Sequence, residues 1–386
     1  MKRPIEERAP WLFTKWFPWV FFSSVCLIAS AHRLILGEGS FNNFTIFAFS
    51  WKHLVADVNL YATSPDHYDL YKYSPTFAFL MAPFAILPRC LGLIFWNFAN
   101  MLLPVWAVNK LNVEQKKKNL ILFIIFIELL SSIQNSQSNG LMLGLILGAF
   151  ALFENEKVVP AMLLICLGFY IKIFAAVAAV LLLFYPRKLK SIAAGAVFLI
   201  VLGALPLLVV SFGQLEIQYH NWLNLLGNDP AHAQNFSFMT LMERTVGLKI
   251  GDLFYLIPGI LLLLAPLARI KHWNDFSFRA LYLCSVLIWV VIFNHKAESP
   301  TYCIAIGGIA MWFILGDKTR TRNWVMFAAF ILVALSPTDL FPKYVRVNFI
   351  EPYALKALMP VIIWIWITWD LLVKHSFLSS PKPQKA

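Results

Sequence analysis

The chain has 386 residues, 60% of them hydrophobic and only 13% charged, with a formal net charge of +12. Soluble domains average about 45–50% apolar and about 25% charged residues, so the excess has no aqueous core to fill and its solvent is lipid. A separate soluble domain of ordinary size is excluded, and the positive balance does not call for nucleic acid, because Lys and Arg of polytopic proteins collect in cytoplasmic loops.

The expected fold is a single all-α integral membrane domain over residues 1–386, with about 12 transmembrane helices. "MKRPIEERAPWLFTK" opens a charged cytoplasmic N-terminus over 1–16, and 17–36 is a first span. "ASA" at 29–31 resembles a cleavage site. A long charged n-region with two glutamates and the many spans that follow favour a span over a signal peptide. Residues 38–90 form a long outer loop. Within it, 44–56 reads as a helix lying along the interface, and "SPTFAFLMAPFAILP" (74–88) as a Pro-bounded re-entrant helix too short to cross. Further spans are expected at 91–111, 119–134, 139–153, 158–171, 173–185, 191–212, 252–268, 277–293, 301–316, 323–336 and 355–373. A second outer loop covers 213–251, and 374–386 is a cytoplasmic tail. With the N-terminus inside, "EQKKKN", "ENEK", "PRKLK", "RIKHW", "GDKTRTR" and the "KPQKA" tail face the cytoplasm, and together with the N-terminus they hold more than half of the 32 Lys and Arg. The five cysteines form no CxxC or metal-ligand spacing.

The remaining polar features then fall on the outer side. "QNSQSNG" (134–140) packs four carboxamides, Gln134, Asn135, Gln137 and Asn139, into six residues. Each brings donors and acceptors that need partners near lipid, which suits a binding turn and equally a polar hairpin. Lys172 divides two apolar halves. At the membrane centre a lysine costs about 2.5–3.5 kcal/mol, so it either snorkels to the interface or has a task. "NHKAES" (294–299) sets His295, Lys296 and Glu298 between apolar tracts, where ionisable residues are functional candidates. Trp51, Tyr61, Tyr68, Tyr71 and Tyr73 on the first loop suit an interfacial aromatic belt.

A first outer loop ending in "LY…YKYSP", a Pro-bounded apolar helix, "WN" at Trp96 and Asn97, the "QNSQSN" turn and a lysine at a helix break together resemble glycosyltransferase family 87. These are polytopic enzymes of the GT-C class, a group that includes polyprenol-phosphate-mannose-dependent mannosyltransferases. The resemblance covers most of the chain and is densest at 40–190 and 285–310. It implies inverting transfer of a sugar, a hexose such as mannose or a pentose, from a polyprenyl-phosphate donor to a lipid or glycan acceptor. The site would face the outer side of a bacterial inner membrane. The partners implied are membrane lipid, the lipid-linked donor and a glycan or glycolipid acceptor. No cofactor is called for; a divalent metal is compatible with the class, but no ligand cluster asks for one.

The departing lipid phosphate needs cations, for which Lys172, Lys296, Lys72 and Arg346 are candidates together with His295. Gln134, Asn135, Gln137 and Asn139 suit sugar hydroxyls, with Asp69 beside them, and Tyr71, Tyr73 and Trp96 suit a pyranose face. One departure matters. The family class places an Asp base shortly after the first span, where this chain reads "FNNF" with Asn42 and Asn43. A carboxamide does not accept a proton as a carboxylate does, so the base falls to Glu298, with Asp339 next and Asp57, Asp66 and Asp69 behind. Glu298 and Asp339 are expected to be partly buried against the membrane, which raises a carboxylate's proton affinity. Two rivals stay open: a flippase of lipid-linked sugars, and a non-catalytic subunit of an envelope-assembly complex.

Overall fold

The computed structural model describes residues 5–228 and 235–374. Residues 1–4, residues 229–234 of the expected second outer loop, and the tail from 375 onward with its "KPQKA" lie outside the described residues. Among the described residues the elements are all helices and no strand occurs.

Each of the twelve segments expected to span falls on helical structure. Among the described residues four helices are long and apolar enough to cross a membrane by length and composition: Phe17–Leu36, Arg89–Lys110, Lys188–Leu208 and Leu355–Val373. Asn139–Glu154, Val158–Ile171, Ile173–Phe184, Asp252–Ala268, Phe276–Ile292 and Ser299–Leu315 are shorter apolar helices. The other two segments depart from a simple apolar helix. Gln115–Gln134 carries Glu128 in its apolar run, and Arg320–Ala329 widens into a π-helical turn at Phe330–Leu335. Length and apolarity alone therefore qualify four of the twelve.

The first loop folds as helices held by local chemistry. Asn42–Val55 forms a 14-residue helix over the segment expected to lie along the interface. Residues 74–88 break into Pro75–Leu80 and Ala82–Ala85, both far too short to span. Ser74 caps the former by accepting from the Phe77 amide, and Pro75 stands at a first-turn position where its missing N–H costs nothing.

By internal packing the chain divides into two compact units: residues up to 111 with 129–230, and residues 112–128 with those from 231 onward. The Gln115–Gln134 helix carries the chain from the second unit into the first.

In the first unit the Asn139–Glu154 helix presents glycines at 140, 144 and 148 to the Arg89–Lys110 helix. A Cβ on Gly140 would stand 2.4 Å from the Asn100 carbonyl oxygen, and one on Gly144 would stand 2.8 Å from backbone atoms of Leu103 and Pro104. One on Gly148 would stand 2.6 Å from the Trp106 ring. Glycines four apart share one helix face, so the backbones meet directly, as small residues allow in membrane helices. Asn97 adds a side-chain hydrogen bond from its amide to Ser30 Oγ at 3.0 Å, tying Arg89–Lys110 to Phe17–Leu36. The first loop is anchored by Gln218, which accepts from the Leu60 amide at 3.1 Å and donates to the Val58 carbonyl at 2.9 Å.

In the second unit Phe276–Ile292 packs on Tyr302–Leu315, close enough that a Cβ on Gly308 would stand 2.8 Å from the Cys284 carbonyl. Trp364 donates its indole N–H to Ser285 Oγ at 2.9 Å and so fixes the Leu358–Val373 helix on the same pair.

Because its Cβ would collide with backbone, Gly140→Ala is expected to destabilise the protein by about 1–3 kcal/mol, the usual cost of overpacking. The measurement is the apparent thermal midpoint in detergent, which should fall for Gly140→Ala and stay unchanged for Gly39→Ala, whose Cβ would meet nothing within 4 Å.

Candidate active site

The carboxamide turn is the centre of polar structure in the first unit. The Gln115–Gln134 helix stops because Ser136 takes a left-handed conformation, φ 50°. Bonds from the Ser136 amide to the Ile133 carbonyl (2.8 Å) and from the Gln137 amide to the Ser132 carbonyl (3.1 Å) hold that turn. The buried Trp96 indole N–H donates to the Ser136 carbonyl at 2.9 Å. Asn100 Oδ1 accepts from the Leu141 amide at 2.9 Å, one of the first-turn donors of the next helix that lacks an intrahelical partner.

Two sequence motifs far apart in the chain meet at this turn. Asn43, on the first turn of Asn42–Val55, donates from its side-chain nitrogen to the Asn135 carbonyl oxygen at 2.9 Å. A backbone carbonyl only accepts, so the contact requires an amide nitrogen at position 43 and a carboxylate would not make it. Asn42 Oδ1 accepts from the Tyr68 amide at 3.4 Å. Asn43 is therefore a structural clip between the first loop and the turn, and Asn42 a clip within the first loop.

Lys172 is the cation of this cluster. Val158–Ile171 ends at it, its backbone is extended (φ −143°, ψ 115°), and a 3-10 helix follows over Ile173–Phe184. The break aims its ammonium at Asn139 Oδ1, 2.7 Å away, with the Tyr73 and Phe174 ring centres each at 5.9 Å. Asn139 is fully buried and donates to Gln137 Oε1. Of the four carboxamides, Gln137 and Asn139 are thus committed inside the protein to each other and to Lys172. Gln134 is half-buried and Asn135 exposed.

The aromatic candidates separate. Tyr73 is half-buried beside Lys172. Tyr71, expected to stack on a sugar, is a core residue: it is 1% exposed, its hydroxyl donates to the Ser74 carbonyl at 2.7 Å, and its ring lies parallel to that of Phe77. Trp96 is equally closed, packed against Phe47, Phe77 and Phe84.

The loop aspartates serve local structure. Asp66 meets His53 Nε2 at 3.0 Å and accepts from Ser64 Oγ at 3.1 Å. The hydrogen bond from His53 is the main reason its carboxyl is held below the ordinary carboxylate range. Asp69 is exposed and accepts from the adjacent Leu70 amide at 2.7 Å, and Asp57 is exposed with φ 57°. Lys72 is half-buried on the same loop.

In the second unit the "NHKAES" segment follows the Phe276–Ile292 helix. Asn294 Oδ1 accepts from the Lys296 amide at 3.0 Å, and the Ala297 amide returns to the Asn294 carbonyl at 3.0 Å. Asn235 donates to the His295 carbonyl, and the Phe236 amide to the Ala297 carbonyl at 2.9 Å. His295, Lys296 and Glu298 are half-buried.

Beneath this segment lies a pair that the sequence reading passed over. Glu128 and Lys356 form a buried ion pair, Nζ to Oε1 2.8 Å, with side chains 0% and 1% exposed. Lys356 Nζ also donates to Ser299 Oγ at 2.8 Å and to the Ser299 carbonyl at 3.0 Å. The available signal was one acid in "FIIFIELL" and one base in "YALKALMP", two spans with opposite charges that each need a partner in lipid.

Asp339 departs from expectation. Its side chain is fully exposed and lies 3.8 Å from Arg346, so the argument from burial does not extend to it. Arg346 also faces Glu351 at 3.8 Å and donates to the Pro337 and Thr338 carbonyls at 3.3 Å, which makes it a staple of its own loop. Among the described residues no group of three or more His, Cys, Asp or Glu is placed to hold a metal ion.

The model of glycosyltransferase family 87 matches residues 71–294, more than half of the chain. The matched region contains the carboxamide turn, Lys172 and the start of the "NHKAES" segment. No curated protein matches the chain.

Restoring an acid at "FNNF" tests the clip. Asn43→Asp sets a carboxylate against the Asn135 carbonyl and loses a hydrogen bond worth about 1 kcal/mol. The expected outcome is a lower apparent thermal midpoint with no gain in sugar transfer. A rise in transfer would show that position 43 is the base site after all.

Proposed function

The chain belongs to glycosyltransferase family 87, and from that premise we propose that it moves a hexose such as mannose, or a pentose, from a polyprenyl-phosphate donor to a lipid or glycan acceptor. Membership makes it a membrane glycosyltransferase. The donor, the inverting course and an outward-facing site in a bacterial inner membrane are our reading. The observation that carries it is Lys172: an ammonium set by a helix break against a buried carboxamide and flanked by two aromatic rings.

In this reaction the acceptor oxygen attacks the anomeric carbon as the bond to the phosphate oxygen breaks. The electron pair of that bond leaves with the phosphate, and the acceptor's proton goes to a base. Charge on the leaving phosphate grows through the transition state, so a fixed cation stabilises the transition state more than the ground state. Lys172 fits that role, because Asn139 Oδ1 orients its ammonium at 2.7 Å. Gln134 and Asn135 offer donors and acceptors to sugar hydroxyls, and Tyr73 offers a ring face. In the second unit, His295 and Lys296 are further candidates for phosphate and Glu298 for the base. Glu298 is half-buried, whereas Asp339 is exposed and faces Arg346.

The test is transfer by the purified protein in lipid, supplied with short-chain polyprenyl-phosphate hexoses and pentoses. Lys172→Met is expected to lower kcat by about 100-fold or more, and to lower the apparent thermal midpoint because the buried Asn139 oxygen loses its donor. Glu298→Gln is expected to lower kcat similarly, and activity that survives it unchanged removes Glu298 as base. Wild-type protein that transfers no sugar from any such donor, yet moves the donor across vesicle membranes, supports the flippase reading instead.

A further inference from the structure

We infer that the buried Glu128–Lys356 pair is a positioning device for the "NHKAES" segment, setting the backbone at Ser299 and with it the placement of Glu298. The inference rests on the transferase reading above and concerns two residues that touch neither donor nor acceptor.

The bonding of Lys356 carries the argument. An ammonium has three N–H donors, and three acceptor atoms lie within reach: Glu128 Oε1 at 2.8 Å, Ser299 Oγ at 2.8 Å and the Ser299 carbonyl at 3.0 Å. One bond would suffice to neutralise Glu128. Two of the three go to one residue of the polar segment, on its side chain and its backbone together, which fixes both position and orientation. The Tyr302 ring lies 5.0 Å from the same ammonium.

Ser299 is where that grip matters. It follows Glu298 directly and opens the 3-10 turn Ser299–Thr301, whose Thr301 amide bonds to the Glu298 carbonyl at 3.0 Å. Tyr302, next in line, donates its hydroxyl to the Phe236 carbonyl, and the Phe236 amide donates to the Ala297 carbonyl at 2.9 Å. The segment is therefore gripped at Ala297 by one set of contacts and at Ser299 by another.

The pair is an inefficient cement. Glu128 Oε2 is buried with no hydrogen-bond partner among the described residues, so the carboxylate is only half satisfied. A well-packed apolar pair serves stability at least as well as a buried ion pair. What an apolar pair does not supply is the pair of directed bonds to Ser299.

The decisive variant is the double substitution Glu128→Gln with Lys356→Met in the full-length protein. It removes both charges at similar volume, so neither is left buried alone. A role in stability alone predicts wild-type transfer and wild-type local amide exchange, whatever happens to the midpoint. Positioning predicts a midpoint close to wild type, kcat lowered at least tenfold with KM for the acceptor within twofold, and hydrogen exchange of the backbone amides of 295–302 at least tenfold faster. A double variant with kcat within twofold of wild type and unchanged exchange overturns the inference. Should the double variant fail to accumulate, Ser299→Ala decides by the same readings. It removes one of the two acceptors and is expected to lower kcat severalfold and speed local exchange, and no change in either overturns the inference. If wild type transfers no sugar, the transferase reading falls, while the exchange measurement still decides whether Lys356 holds the segment.

Discussion

Hydrocarbon offers no hydrogen-bond partner, so every polar group within an apolar helix of this protein must be satisfied by the protein itself. A bond made contributes about 1 kcal/mol net, and a buried group left without one costs about 1–3 kcal/mol. That asymmetry turns each polar residue in an apolar helix into a fixed point of assembly. Asn97 finds Ser30, Asn100 finds the Leu141 amide, Trp289 donates to the Gly259 carbonyl at 3.0 Å and Tyr282 to the Leu263 carbonyl at 3.0 Å. The first two tie Arg89–Lys110 to two different helices, and the last two both tie Phe276–Ile292 to Asp252–Leu264. The apolar surface decides that helices form and stay in lipid, and these few bonds decide which helix lies against which.

The same constraint explains how the candidate groups come to be ordered at all. Lys172 does not sit loose at a break in an apolar run; the break brings it to a carboxamide that is itself held by Gln137. The turn that carries these carboxamides is fixed by Trp96 from one helix and Asn43 from another. Polar groups near lipid are expensive to orient wrongly, so a cluster of them is rigid without a large contact area. Rigidity of that kind suits stabilisation of developing charge, because the groups need not reorganise as the charge appears.

Much of the helix plan was legible in the sequence, because an apolar run interrupted by charge has sharp ends. Val158–Ile171 and Phe17–Leu36 start and stop where the composition changes. The 140, 144, 148 glycine stripe was present in "GLMLGLILG" yet hidden inside a run whose hydropathy alone marks it as helix; only its period shows that it is a contact face. Glu128 and Lys356 were hidden for two reasons. A single ionisable residue barely lowers the average of a long apolar window, and its partner lies 228 positions away, so no local spacing reveals the pair. Tyr71 shows a different limit. Residue type suggests an interfacial aromatic, but the loop folds back on the helices and closes over its ring.

The missing aspartate at "FNNF" is the feature for which the three-dimensional arrangement changes the argument most. Asn43 is committed as a donor, so the base we propose is a carboxylate elsewhere, and the candidates differ in their surroundings. Asp66 accepts from His53 and Ser64, and a carboxyl whose ionised form is stabilised that way is a weaker base. Asp69 is engaged by the amide that follows it, Asp339 stands in solvent opposite Arg346, and Glu128 is sealed against Lys356. Glu298 differs from all of them. It is half-buried, and the residue after it takes two of the three donors of a buried lysine. A base on a segment held that firmly meets the positional demand of general-base catalysis, where the carboxylate must stay within hydrogen-bond reach of the acceptor hydroxyl. The same two buried charges that make this part of the protein costly to assemble hold the residue after Glu298, the carboxylate we propose for the role.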